Sequence, residues 1–104
     1  MTLSDVQSFA EGLSRKFQYT GDPFRALAVV TEELGEVSVE INKMYLSESK
    51  VYQGKSGNYE KLSEELGDLV VAICHLANQC DVNLDQEITS KRVRIEKRFG
   101  SLLK

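Results

Sequence analysis

Several features that define other protein classes are missing from this sequence. It has no tryptophan, one proline, one histidine and two cysteines among 104 residues. Cys74 and Cys80 stand six positions apart without a CxxC pair, so we expect free thiols and a reducing, cytoplasmic setting. No apolar run is long enough to cross a membrane, and the first residues lack the basic start and apolar run of a signal peptide. We therefore expect no membrane partner.

Strand signals are missing as well, because apolar and polar residues nowhere alternate with a period of two. Apolar residues instead recur at spacings of three and four, which predicts an all-α fold. The length favours one domain, residues 1–104, with a modest core. The capping signals are Ser4 with Gln7, Asp22 before Pro23, Asn58, and Asn83 with Gln86. The predicted helices cover residues 4–17, 23–45, 58–80 and 84–100, with a polar loop over 47–57.

One acidic hexapeptide occurs twice. Residues 32–37 read Glu-Glu-Leu-Gly-Glu-Val, and residues 64–69 read Glu-Glu-Leu-Gly-Asp-Leu. On a helix, acids three residues apart lie on one face, about one turn from each other. Most acidic helix faces are simply solvated, but two near-identical copies favour a binding site. The acids at this spacing are Glu33 with Glu36, and Glu65 with Asp68.

The two acidic pairs lie on neighbouring predicted helices and share one rotational sense about the apolar stripes of those helices. If the helices pack as an antiparallel hairpin, both pairs emerge on the same side and four carboxylates converge. Four acids held together repel one another unless a cation lies between them. Oxygen ligands without a clustered His or Cys select a hard ion, so we predict Mg²⁺, with Mn²⁺ as a substitute.

Two apolar stripes are expected to meet and form the core. Cys80 falls within one of them, and we expect it to be buried. Gly35 and Gly67, the glycines inside the acidic motifs, indicate a close approach of the backbone. The stripes consist of Leu27, Val30, Leu34, Val37, Ile41 and Met44 on one helix, and of Leu62, Leu66, Leu69, Ile73, Leu76 and Cys80 on the other.

Charge is distributed unevenly along the chain. Residues 1–90 hold seven Lys or Arg and fifteen acids, which gives a net charge of −8. Residues 91–104 hold six Lys or Arg and one acid, which gives a net charge of +5. A mostly acidic body argues against a nucleic-acid partner. An acidic metal site beside a basic helix suits a small phosphate ester.

Lys91 interrupts the apolar stripe of the fourth predicted helix. A lysine inside a core stripe is costly unless it is paired or reaches a polar site. Two interpretations stay open: Lys91 snorkels to a nearby Glu, or it contacts a phosphate beside the metal, with Arg94 and Arg98 alongside. His75 shares the face of Asp68, but a lone histidine is more often a packing residue, and we do not expect it to bind the metal.

These residues resemble the MazG-like nucleoside triphosphate pyrophosphohydrolases of the all-α NTP pyrophosphatase superfamily. The pattern of that family is EExxE, a spacer and ExxD, and residues 32–36 and 65–68 match it. Residues 80–84, 90–91 and 97–99 are similar to members that hydrolyse dCTP and related nucleotides.

The resemblance implies a four-helix antiparallel bundle that hydrolyses a nucleoside triphosphate to the monophosphate and pyrophosphate with Mg²⁺. Glu32 or Glu36 would accept the proton of the attacking water, and the sequence does not choose between them. Glu40, one turn further, either binds a water near the metal or faces solvent. The implied metal ligands are Glu33, Glu36, Glu65 and Asp68, and the implied phosphate contacts are Lys91 and Arg98, with Arg94 beside them.

Two departures from the family pattern leave base recognition open. Ile95 stands where many relatives carry Asn, and no Trp occurs near Phe17 and Tyr19. Two other functions are compatible with the motifs: hydrolysis of phosphoribosyl-ATP on the same fold, and a non-catalytic helical oligomerisation module that binds metal for structure alone.

We also expect a homo-oligomer, either a dimer or a tetramer. The predicted acidic face carries Ala26, Val29 and Ala72 among its ligands, and the short first helix covers only part of it. A face of this kind suits a nucleotide held near a subunit interface.

Overall fold

A computed structural model describes residues 1–18, 21–46 and 59–101. These residues form four α-helices and contain no strand, which confirms the all-α prediction. No helix among them is long and apolar enough to cross a membrane. The predicted loop over 47–57 and the Asn58 cap lie outside the described residues. The helices are α1 (Leu3–Phe17), α2 (Pro23–Tyr45), α3 (Tyr59–Gln79) and α4 (Leu84–Phe99).

Local capping chemistry explains most of the helix starts. Asp22 accepts a hydrogen bond from the Arg25 N–H at 2.7 Å, and Asn83 accepts one from the Gln86 N–H at 3.0 Å, as predicted. The expected cap at Ser4 is wrong. Thr2 caps α1 instead, because Asp5 stands three residues after it and completes a reciprocal pair of hydrogen bonds.

α2 and α3 pack as an antiparallel hairpin, and α1 packs against α3. The direction follows from the neighbours: Ala26, near the start of α2, lies beside Ala72 in the second half of α3, whereas Glu36 meets Glu65 further back. α4 packs against α1, and no comparable packing against α2 or α3 is found in the described ranges. Among the described residues of one chain, α4 therefore does not complete a four-helix bundle with α2 and α3.

The line of contact between α2 and α3 is rotated away from the predicted stripes. Val37 is buried, but Leu34 is 55% exposed and Leu66 is 44% exposed. Cys80 is exposed as well, and Cys74 is the buried thiol. The prediction that both stripes are fully buried is therefore wrong. We call the uncovered surface the leucine face, and it consists of Leu27, Leu34, Ile41, Leu66 and Ile73.

The buried apolar residues of the described chain are small. Four of them are alanines, and the others are Val37 and Cys74. Burial of apolar surface stabilises a protein by about 25 cal/mol per Å², and small side chains remove little apolar surface from water. This core therefore stabilises a single chain only modestly, while the larger apolar side chains other than Val37 are half-buried or exposed in the described chain.

The glycines of the acidic motifs do not mark a close backbone approach. A Cβ atom added at Gly35 or Gly67 would meet nothing within 4 Å, because both residues face outward. The expectation from the sequence is therefore wrong at both positions. Glycine inside a helix costs stability, and the described chain shows no packing reason for it here.

Candidate metal centre

Three carboxylates converge between α2 and α3. One oxygen each from Glu33, Glu36 and Glu65 lies within 4.8 Å of the other two. At about 100° per residue, Glu33 and Glu36 lie roughly 60° apart on α2, so both reach the same side of the hairpin. The antiparallel packing brings Glu65 of α3 to that side too, as the shared rotational sense of the two motifs predicts.

Mutual repulsion within this cluster is visible in its pKa values. Hydrogen bonding to Glu65 and the charges of Glu33 and Glu65 raise the pKa of Glu36 from 4.5 to about 7. The pKa of Glu33 is raised by burial and by the charge of Asp68. Lys61, whose ammonium lies 3.0 Å from Glu65, lowers the pKa of Glu65. Glu36 is therefore the residue that takes up a proton when no cation is bound.

Two oxygens of the cluster lack hydrogen-bond partners. Oε2 of Glu33 and Oε2 of Glu65 are buried, and neither accepts a hydrogen bond within the part of the chain that the structure describes. A buried carboxylate oxygen without a partner costs free energy, and a divalent cation would remove that cost for both at once. An all-oxygen donor set of this kind suits Mg²⁺ or Mn²⁺.

The fourth predicted ligand lies close to the group but outside it. Asp68 is exposed, lines the same cleft as Glu33 and raises the pKa of Glu33 by its charge. Glu32 is also exposed and does not belong to the converging group. Glu40 is buried and pairs with Lys43 at 3.3 Å, so the alternative in which it faces solvent is wrong, while the alternative in which it binds a water near the metal stays a prediction.

The three predicted phosphate contacts are not brought to the acidic cluster within one chain. All three lie on α4, which packs against α1. Lys91 is exposed, so the premise that it sits in a buried stripe is wrong for the single chain. Arg94 pairs with Glu87 at 3.3 Å, and Arg98 lies over the ring of Phe99.

A cleft of about 750 Å³ opens beside the acidic cluster, between α1, α2 and α3. Ala10, Ala26 and Ala72 form buried parts of its wall, so α1 covers more of this side than the sequence suggested. Its acidic end is formed by Glu33 and Asp68. The polar residues elsewhere in the lining are Gln18, Arg25 and His75.

Sequence reasoning missed Arg25 as a site residue, although a signal was present. Arg25 precedes Glu33 by eight residues, which places it about two turns earlier and roughly 80° away around α2, and it lines the same cleft. His75 follows Asp68 by seven residues and lies in the cleft in the same way. Gln18 could not have been found by periodicity, because it follows α1 with a left-handed backbone, φ 53°.

Two matches to known proteins each cover most of the chain. Residues 23–98 match the MazG nucleotide pyrophosphohydrolase domain. The chain is also 31% identical over 87 residues to the uncharacterized protein YpjD of Bacillus subtilis (strain 168), and the match covers 82% of this chain and 75% of that protein. The matched domain includes both acidic motifs and most of α4.

Proposed function

The chain belongs to the MazG nucleotide pyrophosphohydrolase family, and from this membership we propose that it hydrolyses a (deoxy)nucleoside triphosphate to the monophosphate and pyrophosphate. Residues 1–104 act as one domain in this proposal, and Mg²⁺ is the cofactor. The observation that carries it is the pair of buried carboxylate oxygens on Glu33 and Glu65, which lie beside an open cleft and have no hydrogen-bond partner within the described ranges.

Four carboxylates hold the cation in this proposal. Glu33, Glu36 and Glu65 already converge, and Asp68 completes the set from the rim of the cleft. Bound Mg²⁺ would lower the pKa of an attacking water and neutralise charge on the triphosphate. Binding of the cation also relieves the repulsion that otherwise leaves a proton on Glu36.

Glu36 is the better supported of the two proton acceptors. It belongs to the converging group, so it lies next to any water that the bound cation would hold. Glu32 stands one turn earlier, is exposed and lies outside the converging group. The exposed position of Glu32 lets it accept a proton only from a water at the outer edge of the site.

The cleft supplies room for the nucleoside beside the acids. Phe9, Leu13 and Val29 give it an apolar lining, and Arg25 and His75 give it hydrogen-bond donors. The triphosphate would extend from the cleft toward Glu33 and Asp68, where the cation neutralises it. Lys91, Arg94 and Arg98 are the proposed phosphate contacts, and the active form is a homo-oligomer.

A pyrophosphate-release screen tests the proposal. The full chain is incubated with Mg²⁺ and each canonical or modified nucleoside triphosphate, and with phosphoribosyl-ATP in a parallel series. We expect release of pyrophosphate and a monophosphate from at least one triphosphate. If only phosphoribosyl-ATP is hydrolysed, phosphoribosyl-ATP is the substrate and the proposed nucleoside triphosphate is not. A metal-dependent rise in melting temperature without any turnover would indicate a structural metal site instead.

A further inference from the structure

The cleft beside the acidic cluster has a second polar end, away from the carboxylates. Arg25 and His75 line it there, whereas Glu33 and Asp68 form the acidic end. Arg25 precedes Glu33 by eight residues on α2, and His75 follows Asp68 by seven on α3, so each lies about 10–12 Å along its helix from the acid. Because α2 and α3 are antiparallel, both displacements run in the same direction. Arg25 and His75 therefore lie at the same level of the hairpin, and we call this level the distal end of the cleft.

The distal end lies where the base of a nucleotide would be if its phosphates were held at the acidic end, a placement that rests on the proposed function. Between the two ends the lining is apolar, with Val29 from α2, Ala72 from α3, and Phe9 and Leu13 from α1. Such a lining suits the sugar and the faces of a base. At about 750 Å³ the cleft has room for a purine or a pyrimidine, so its size does not select the base.

The two polar side chains of the distal end differ in their hydrogen-bonding capacity. A neutral imidazole donates from one ring nitrogen and accepts at the other, so His75 can serve either kind of base edge. A guanidinium carries five N–H donors and no acceptor. Arg25 therefore pairs with a carbonyl oxygen of a base. An exocyclic amino group in the same place would set donor against donor and leave both without a partner, which costs free energy.

The start of α2 does not explain an arginine at position 25. Asp22 caps the helix through the backbone N–H of Arg25 at 2.7 Å, and every residue except proline supplies such an N–H. A positive side chain in the first turn is unfavourable beside the positive end of the helix dipole, where acids are preferred. The arginine side chain therefore needs a reason other than the stability of α2, and its place in the lining of the cleft supplies one.

We propose that Arg25 makes the cleft selective for bases that present a carbonyl oxygen at their hydrogen-bonding edge, namely 4-oxopyrimidines and 6-oxopurines. Cytosine and adenine, which carry an amino group at the same position, are disfavoured. A good bidentate contact from arginine to a base discriminates by roughly tenfold or more. The segments that resemble dCTP-hydrolysing proteins, residues 80–84, 90–91 and 97–99, do not line the cleft, so they do not bear on this choice.

Two matched pairs of substrates test the selection. dUTP carries a carbonyl oxygen where dCTP carries an amino group, and dITP differs from dATP in the same way. With Mg²⁺ and the full chain, kcat/KM should be roughly tenfold or more higher for dUTP than for dCTP, and for dITP than for dATP. A ratio at or below one in either pair that is hydrolysed would overturn the proposal.

Reversal of the charge at position 25 separates base recognition from a structural role. Arg25→Glu places an acceptor-only carboxylate there, so the preference should invert toward dCTP and dATP. Its negative charge weakens binding of both members of a pair, which cancels in the ratio. Arg25→Met keeps an apolar stem without donors and should bring the ratios to about one. Arg15→Met is the matched control with wild-type ratios, because Arg15 pairs with Glu11 at 3.2 Å and lines a different groove.

Binding of the product monophosphates distinguishes a failure of this proposal from a failure of the proposed function. dUMP and dCMP are titrated into the protein with Mg²⁺ in a calorimeter. Wild type should bind dUMP more tightly than dCMP, and Arg25→Glu should reverse the order. This reversal without hydrolysis of any triphosphate would contradict the function alone, and absence of both hydrolysis and binding would contradict both.

Hydrolysis with ratios that do not depend on Arg25 would contradict the selection and leave the function standing. If Arg25→Glu does not fold by circular dichroism, Arg25→Met replaces it in both measurements, and a preference for dUTP and dUMP that survives in this variant would overturn the selection.

Discussion

Lys61 Nζ lies 3.0 Å from Oε1 of Glu65, one turn later on α3, while Oε2 of the same carboxylate is buried and accepts no hydrogen bond from the residues that the structure describes. The ammonium keeps Glu65 charged, and Glu36, hydrogen-bonded to Glu65, takes up the proton instead. One oxygen of Glu65 is therefore held by Lys61, and the other is buried without such a partner among the described residues. In the proposed metal site, Lys61 would hold one oxygen of Glu65 and leave the other for the cation.

The stability of the metal-free protein should fall as pH rises through the window set by Glu36. Its pKa is 4.5 in the unfolded chain and about 7 when folded, so the folded state binds more protons between these values. Stability that is present below pH 4.5 is then lost progressively up to about pH 7. Thermal unfolding in a chelator at a series of pH values measures this.

Saturating Mg²⁺ or Mn²⁺ should remove that pH dependence and raise the melting temperature most at the alkaline end. The cation stabilises the ionised carboxylates and also binds only the folded state. If the melting temperature declines with rising pH to the same extent with and without the metal, the cation does not bind at the Glu36–Glu65 pair.

Substitution of a ligand should separate activity from stability. Glu36→Gln and Asp68→Asn should each abolish turnover, because a neutral amide is a weak ligand for Mg²⁺. The same changes should leave the metal-free protein as stable or more stable, since they remove charge repulsion. The matched control is Glu64→Gln, a largely exposed neighbour of Glu65, which should keep its activity. Near-normal turnover in Asp68→Asn would remove Asp68 from the ligand set.

Lys91→Met should lower nucleotide affinity and turnover while the fold persists. The change keeps the apolar stem and removes the charge, and a hydrogen bond to a charged phosphate is worth on the order of 1–3 kcal/mol. Lys97→Met, roughly 120° away around α4, is the control and should have little effect. Steady-state kinetics of the two variants and of the wild type test this prediction. The same kcat and KM in Lys91→Met as in Lys97→Met would exclude Lys91 as a phosphate contact.

Alanine should be tolerated at both motif glycines. A Cβ atom at Gly35 or Gly67 meets open space, and replacing helical glycine by alanine usually stabilises a helix by about 0.5–1 kcal/mol. Denaturant unfolding of Gly35→Ala and Gly67→Ala should show this gain. A variant that unfolds normally but loses activity or association would place that glycine against substrate or a second subunit.

Asp85 should make the docking of α1 sensitive to acid. Hydrogen bonds from Ser4 and Leu3 at the start of α1 hold the pKa of Asp85 below its ordinary value of 3.8. Its contribution is therefore present above pH 3.8 and is lost as pH falls through the lower, folded pKa. Asp85→Asn should lower the melting temperature at neutral pH, and the difference from wild type should shrink in acid.

The control for this experiment is Asp81→Asn. Asp81 is exposed in the turn after α3 and has φ 55°, a conformation that asparagine also adopts readily. Hydrogen exchange in α1 distinguishes undocking of that helix from global unfolding. Faster exchange in α1 for Asp81→Asn as well would show that loss of charge in this region, rather than the hydrogen bonds of Asp85, is responsible.

Local chemistry let the sequence determine the helices and much of the acidic cluster. The start of α2 follows from Asp22 and Pro23, and the start of α4 follows from Asn83, because a cap depends on residues within one turn. The convergence of Glu33, Glu36 and Glu65 follows from helical spacing and antiparallel packing. The caps need no knowledge of the remaining chain, whereas the convergence also needs the antiparallel direction of the hairpin.

The tertiary structure decided how far α2 and α3 rotate about their own axes and where α4 lies. A helix with leucines on one edge and alanines near its acids can bury either edge, and periodicity identifies the apolar residues without choosing between them. Here α1 covers the alanine side over Ala26 and Ala72, which leaves Leu34 and Leu66 at the surface. Lys91 was placed in a core for the same reason. Which surface receives an amphipathic helix depends on long-range packing that its own sequence does not encode.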